Sequence, residues 1–241
     1  MAVETTSHRA AVAPDRVPQA KRRSSVALKI FMAGTGVLLV LFLYVHMAGN
    51  LKIFFGGTTF DHYAAWLRTI GEPLLPKTWY LYIQRTVLTV AVLGHIAAAT
   101  ILARRAAQAR PVKYAHRPKV QGSYAARTMR WGGVIILLFV IFHILDLTTG
   151  TLNPVGDKAN PYGNVVADFA PHRWYVTLCY ALAIIAVGFH LRHGLFSAVR
   201  TLGQQTARGE RVAKNTALVL SLILVVGYLS VPFAVLTGIV K

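Results

Sequence analysis

Cysteine is nearly absent: Cys179 is the only one among 241 residues. One thiol cannot close an intrachain disulfide, and it leaves no multi-cysteine metal site within the chain. It falls in an apolar run, where an inert core residue is the default reading. Acidic residues are scarce as well, eight against 26 lysines and arginines, for a net charge of +18. Charged residues of both signs make up only 14%, where a soluble domain carries about a quarter. Residues 1–25 lack the apolar stretch of a cleavable signal peptide. With Pro14, Pro18 and "KRRSS" at 21–25, they read as a disordered basic tail on the cytoplasmic side.

What fills the sequence instead is apolar: 55% of residues, with a mean hydropathy of +0.49. The apolar residues gather into five runs, 27–49, 79–103, 131–150, 174–196 and 215–239, each long enough to cross about 30 Å of hydrocarbon as a helix. The expected fold is all-α and polytopic: five transmembrane helices in a bundle, forming one domain over 26–241. The third run ends in the helix-stopping "DLTTGTLNP", and Pro232 is expected to kink the fifth. A charge of +18 raises the question of nucleic acid. The basic residues are spread over the connections between runs, however, and no nucleic-acid motif accompanies them. Lysine and arginine number 18 in 1–29, 104–130 and 197–214, against five in 50–78 and 151–173. The positive-inside rule then puts the N-terminus in the cytoplasm. The 104–130 segment, with eight basic and no acidic residues, is either an orientation signal lying on lipid headgroups or a docking surface for a soluble partner. Trp79, Tyr80, Trp131 and Trp174 stand at span ends as interfacial residues do. Short interfacial helices are expected near 60–70 and 162–169.

Four of the five spans carry a histidine toward their far end: "LVLFLYVHMAGN" with His46, "TVAVLGHIAAA" with His95, "ILLFVIFHILDL" with His143 and "AIIAVGFHLRHG" with His190. A polar group buried in lipid needs a partner. One such histidine is explained by a hydrogen bond to a neighbouring helix. Four, on four helices, point to a cofactor. Successive spans run in opposite directions, so His46 and His143 share the outer level and His95 and His190 the cytoplasmic one, about 10–15 Å apart. Two imidazoles facing each other across a bundle are what a six-coordinate haem requires. Zinc wants more ligands per level or an open position. Small residues near the ligands (Ala48, Gly49, Gly94, Ala98, Gly188, Gly194, with Gly34 and Gly36 on the first span) suit either a flat macrocycle or ordinary close helix packing. His193 is a second choice to His190. His8, His62, His116 and His172 fall outside the spans.

These four histidine stretches, the last continuing as "GFHLRHGLFSAVRTLG", together with a histidine-free fifth span, resemble the five-helix dihaem cytochrome b membrane subunit of succinate dehydrogenases and fumarate reductases. The resemblance covers roughly 25–240. It implies two haems b. His95 and His190 would hold the proximal one, near an iron–sulfur subunit, and His46 and His143 the distal one. It also implies His190 rather than His193 as ligand, and a flavoprotein subunit that carries the succinate chemistry, since no flavin motif or cysteine cluster occurs here. The substrate it implies is a quinone, usually menaquinone in dihaem members, near the outer haem. The implied location is a bacterial cytoplasmic membrane.

Other polar residues bear on this reading. Asp146 follows His143 by three residues and shares its helix face. It is a candidate for proton exchange with quinol, or else a structural hydrogen-bonding group. Glu72, in the outer connection, is a second proton-relay candidate. Arg85, inside the second span, needs a counterion, for which a distal-haem propionate or Asp146 would serve. Lys29, Arg130 and Arg192 near the inner interface either snorkel or meet proximal propionates. Two rivals stay open: the dihaem cytochrome b anchor of another respiratory dehydrogenase, and a haem-free anchor or transporter.

Overall fold

The structure is a computed structural model that describes residues 24–109, 124–203 and 206–241. Most of the expected tail, and the 110–123 part of the basic connection with its proposed docking role, lie outside the described residues, as do His8 and His116. The described elements are all helical. Five stretches are long and apolar enough to cross a membrane: Ser25–Phe55, Trp79–Gln108, Met129–Thr148, Pro171–Thr201 and Ala207–Leu236.

Local chemistry sets their limits. Helix α1 (Ser25–Asn50) starts where the Ser24 hydroxyl accepts the Val26 amide at 3.2 Å, which satisfies one of the free donors at a helix start. It tightens into a 3₁₀ turn, Leu51–Phe55, and stops at Gly56, whose φ of 93° is open to glycine and strained for other residues. Helix α2 (Gly57–Trp66) follows, and then α3 (Trp79–Gln108). Helix α4 (Tyr124–His143) passes into a π-helical turn, Ile144–Thr148. Helix α5 (Pro161–Asp168) begins with Pro161 at its first position and with the Asn160 side chain accepting the Gly163 amide at 2.8 Å. A 3₁₀ turn, Pro171–Arg173, leads into α6 (Trp174–Thr201). Helix α7 (Ala207–Leu236) runs on past Pro232 to Leu236, although proline removes the hydrogen bond to the Tyr228 carbonyl.

Packing centres on α6, which lies against α7, α4 and α1; α1 also meets α3 and α7. Two tyrosines bind α1 to α7: Tyr44 donates to the Leu220 carbonyl and Tyr228 to the Leu43 carbonyl, both at 2.7 Å. Hydroxyls that reach a carbonyl across a helix interface hold register as well as contact. Helices α2 and α5 stand where the two short interfacial helices were expected, and they pack on each other. Asp61 accepts the Tyr162 amide at 2.9 Å, and Arg68 donates to the Lys158 carbonyl at 3.0 Å. These bonds gather both long connections at one end of the molecule. Cys179 departs from expectation: it is exposed on α6 and is not a core residue.

Close approach of α6 and α7 depends on Gly188, where a Cβ would come within 2.5 Å of Val225 Cγ2. Valine is stiff at χ1 and cannot swing away. Gly188→Ala is expected to cost about 1–3 kcal/mol in equilibrium unfolding measured in mixed micelles, with most of the loss recovered in Gly188→Ala/Val225→Ala.

Candidate site: two histidine pairs and a buried carboxyl cluster

The four span histidines meet as two pairs. His46 of α1 faces His143 of α4, with ring centres 6.0 Å apart and planes at 75°. His95 of α3 faces His190 of α6 at 6.3 Å and 60°. Among the described residues no hydrogen bond joins the rings of either pair, and no third His, Cys, Asp or Glu joins one to make a metal-binding group. Each pair sets two imidazoles opposite each other at a similar separation. Two metal–nitrogen bonds of about 2 Å each, added to the short step from nitrogen to ring centre, bring opposed imidazoles to separations of this size.

Hydrogen bonds assign the tautomers of two of the rings. His95 Nδ1 lies 3.1 Å from the Met32 carbonyl of α1 and 3.2 Å from Thr35 Oγ1. A carbonyl only accepts, and the Thr35 hydroxyl already donates to the Phe31 and Met32 carbonyls, so His95 Nδ1 carries the proton. His143 Nδ1 lies 3.2 Å from the Tyr180 hydroxyl, which donates its single hydrogen to Asp146 Oδ2 at 2.8 Å. Tyr180 must therefore accept from His143 Nδ1. In both rings Nε2 is left with a bare lone pair, the arrangement of a histidine that ligates metal through Nε2. His190 Nδ1 is buried and has no hydrogen-bond partner among the described residues.

The surroundings of the pairs differ. At the α2/α5 end, each ring stacks on the phenylalanine one turn before it: His46 on Phe42 at 5.3 Å and His143 on Phe139 at 5.9 Å. Tyr228 also lies 6.1 Å from His46. The other pair is bordered by glycine: a Cβ at Gly36 would sit 3.4 Å from His95 Cε1, and one at Gly133 would sit 3.9 Å from His190 Cε1. These contacts also give the axial offset between pairs. Gly36 to His46, Gly133 to His143 and Tyr180 to His190 are each ten residues, about 15 Å of helix axis. The other small residues divide differently. Gly49, Gly94 and Gly188 make room for Tyr63, Phe31 and Val225, while Gly34 and Gly194 have nothing within 4 Å of the Cβ position. Of the glycines singled out in the sequence, only Gly36 borders an imidazole, and Gly133 was not among them.

The remaining candidates are scattered. His193 is half-buried on α6, outside the ring pairs. Glu72 and Arg85 are exposed, and among the described residues neither side chain makes an ion pair. Arg85 therefore does not use Asp146 as its counterion. Lys29, Arg130 and Arg192 are exposed as well.

Asp146 has other company. It lies in the π-helical turn, 0% exposed. Its carboxyl accepts from the Tyr180 hydroxyl and adjoins that of Asp168, the last residue of α5, which is also 0% exposed. Arg173 donates through Nη2 to Asp168 Oδ1 at 2.9 Å and through Nε to the Asp168 carbonyl at 3.3 Å. Burial, together with the adjoining Asp146, pushes Asp168 up to about 7, against the pull of Arg173. Tyr180, Asp168 and Arg173 were not foreseen from the sequence. The available signals were a tyrosine within an apolar run and the five-residue spacing of Asp168 and Arg173.

No family model matches the chain, and comparison with curated proteins and with solved structures returns no match.

The sign of the Asp168 shift fixes a pH dependence. The folded chain keeps a proton that the unfolded chain releases, so this group's stabilising contribution is full below about pH 4 and is lost as pH rises through about 7. Measured against Asp168→Asn in the same detergent, the wild-type melting temperature should decline across that window and level off above it.

Proposed function

We propose that the chain is the haem-bearing membrane subunit of a succinate:quinone oxidoreductase, and that it works in a bacterial cytoplasmic membrane with a flavoprotein and an iron–sulfur protein as partners. The observation that carries this reading is the meeting of four span histidines as two facing pairs, at 6.0 and 6.3 Å. Bound there, two haems b would supply one-electron relay between the iron–sulfur partner and quinone, menaquinone being the expected one.

The residues divide this work by position. His95 and His190 would ligate one iron, and His46 and His143 the other. Thr35 and the Met32 carbonyl orient His95, and Tyr180 orients His143, each by fixing Nδ1 as the donor. Phe42 and Phe139 hold their histidines by stacking and keep water from the rings. Gly36 and Gly133 bring helix backbone close to the rings of the other pair. Iron held by two imidazoles would suit electron relay over catalysis at the metal. The excess of lysine and arginine in 1–29, 104–130 and 197–214 supports a five-helix bundle with a cytoplasmic N-terminus. The His95/His190 pair then faces the iron–sulfur partner, and the α2/α5 end faces outward. The quinone site is assigned to that outward end, with Asp146 as a group able to exchange protons there.

Purified protein should contain two haems per chain and show a b-type reduced-minus-oxidised spectrum. Alanine at His46 or His143 should remove one haem, and alanine at His95 or His190 the other, while His193→Ala keeps both. A chain with no haem band would instead fit a haem-free anchor or transporter. Co-purification with a succinate-oxidising flavoprotein separates this subunit from the anchor of another dehydrogenase.

A further inference from the structure

At the end of the bundle away from α2 and α5, the start of α1 and the end of α6 enclose an open cleft of about 350 Å³. Val26 and Lys29 line it from α1, and Ser197, Arg200 and Thr201 from α6. Its polar side chains are cationic or hydroxylic. Thr201 Oγ1 donates to the Ser197 carbonyl at 2.9 Å, so its hydrogen is committed. The Lys29 ammonium, the Arg200 guanidinium and the Ser197 hydroxyl make no hydrogen bond or ion pair among the described residues. Arg200 is held over the Phe196 ring at 5.7 Å, and Lys214 Nζ lies 5.2 Å from the same ring. Arg105 of α3 donates to Ser25 Oγ at 3.1 Å at the start of α1.

No carboxylate answers this charge. Six acidic residues are described. Asp61, Glu72, Asp146, Asp157 and Asp168 belong to the α2/α5 end, and Glu210 is paired with Lys214 at 3.1 Å. The neighbouring parts of the chain have the wrong sign to supply it: residues 1–23 hold five lysines and arginines against two acids, and 110–123 hold four against none. Depth points to the partner. Helix α6 has 28 residues, about 42 Å of axis, more than about 30 Å of hydrocarbon. Trp174 and Tyr175 are exposed at its first turn, where interfacial aromatics sit. The surplus length therefore emerges at the other end and carries Arg200 and Thr201 to the level of lipid headgroups.

An apolar strip leads away from the cleft along α1. Val26, Ile30, Gly34, Val37 and Leu41 are all exposed, at intervals of four, four, three and four residues, and so share one helix face. Gly34 has nothing within 4 Å of its Cβ position, which leaves a dip in the strip.

We propose that this cleft binds one anionic phospholipid, with its phosphodiester held by Lys29, Arg200 and the Ser197 hydroxyl and an acyl chain laid along Val26, Ile30, Gly34 and Val37. The phosphate oxygens accept from all three groups, and the chain covers the strip below them. A zwitterionic lipid gains less, because its headgroup brings a cation of its own. The site needs the membrane but not the haems, so it goes beyond the functional reading and stands apart from it.

The test exchanges the full-length protein into a neutral detergent, adds phosphatidylglycerol, phosphatidylcholine or inorganic phosphate, and weighs the intact protein by native mass spectrometry. One phosphatidylglycerol per chain should stay bound under conditions that strip phosphatidylcholine, and it should raise the melting temperature. Inorganic phosphate, which has no acyl chain, should not compete at equal concentration. Lys29→Ala/Arg200→Ala should weaken retention about tenfold to thirtyfold. Gly34→Leu should weaken it without changing charge, and Lys29→Arg/Arg200→Lys should keep it. Arg211→Ala, which removes an exposed charge on α7 outside the cleft, should leave it unchanged. Lys29 and Arg200 are exposed, so the variants are expected to fold, and their melting temperature without lipid checks this. The proposal is overturned if both lipids are retained alike or if Arg211→Ala costs as much as the double alanine variant. It is overturned if inorganic phosphate displaces the lipid, which leaves a plain anion site. It is overturned if the double alanine variant keeps its lipid but loses haem, which assigns the two cations to haem propionates. Protein that retains no lipid once its partner subunits are bound overturns it too, and makes the cleft a protein interface.

Discussion

An imidazole inside an apolar layer is cut off from the water that would occupy its nitrogens, and the partners found within the protein organise the molecule. Each ring has two nitrogens to satisfy in surroundings where water supplies neither. His95 turns one toward a carbonyl of α1 and His143 one toward a tyrosine of α6, and each ring has a second imidazole beside it. The contacts of α1 with α3 and of α4 with α6 are the ones that bring these donors and acceptors together. Helix α7 carries no histidine, yet it closes the arrangement through Tyr228, which reaches the Leu43 carbonyl one turn from His46.

Large apolar side chains cover the outside of the long helices, which a water-soluble fold would bury. Leu41, Val90, Leu138 and Val226 are among the exposed large side chains of the long helices, while two of the most completely buried side chains are aspartates. Lipid offers no penalty to the first group and no solvation to the second. Helix association here draws on tight packing at sites such as Gly188 and on hydrogen bonds such as those of Tyr44 and Tyr228, because burying apolar surface gains little when the surroundings are hydrocarbon.

Much of this was legible in the amino-acid order, because a membrane imposes simple rules. Span length and composition located the helices, and depth along alternating spans paired His46 with His143 and His95 with His190. What escaped was lateral information. Which face of α6 carries Tyr180, and that it would sit between His143 and Asp146, depends on helix rotation, which a nearly uniform apolar run leaves open. Asp168 and Arg173 lie in a connection whose course is set by α2 and α5 packing on each other. Gly188 and Gly133 look alike in sequence, yet one faces a valine and the other an imidazole. Cys179 looked like core for the same reason: apolar neighbours along the chain do not say which side of a lipid-facing helix is covered.

The ten-residue offset between the two histidine levels carries an energetic meaning of its own. About 15 Å of axial rise is roughly half of a 30 Å hydrocarbon layer. A charge moved between the levels crosses a corresponding part of the transmembrane voltage. At about 2.3 kcal/mol per elementary charge per 100 mV for the full crossing, such a transfer involves work of about 1 kcal/mol per electron at that voltage. For a chain that works as proposed, the membrane's electrical state would thus weigh directly on which direction electrons run.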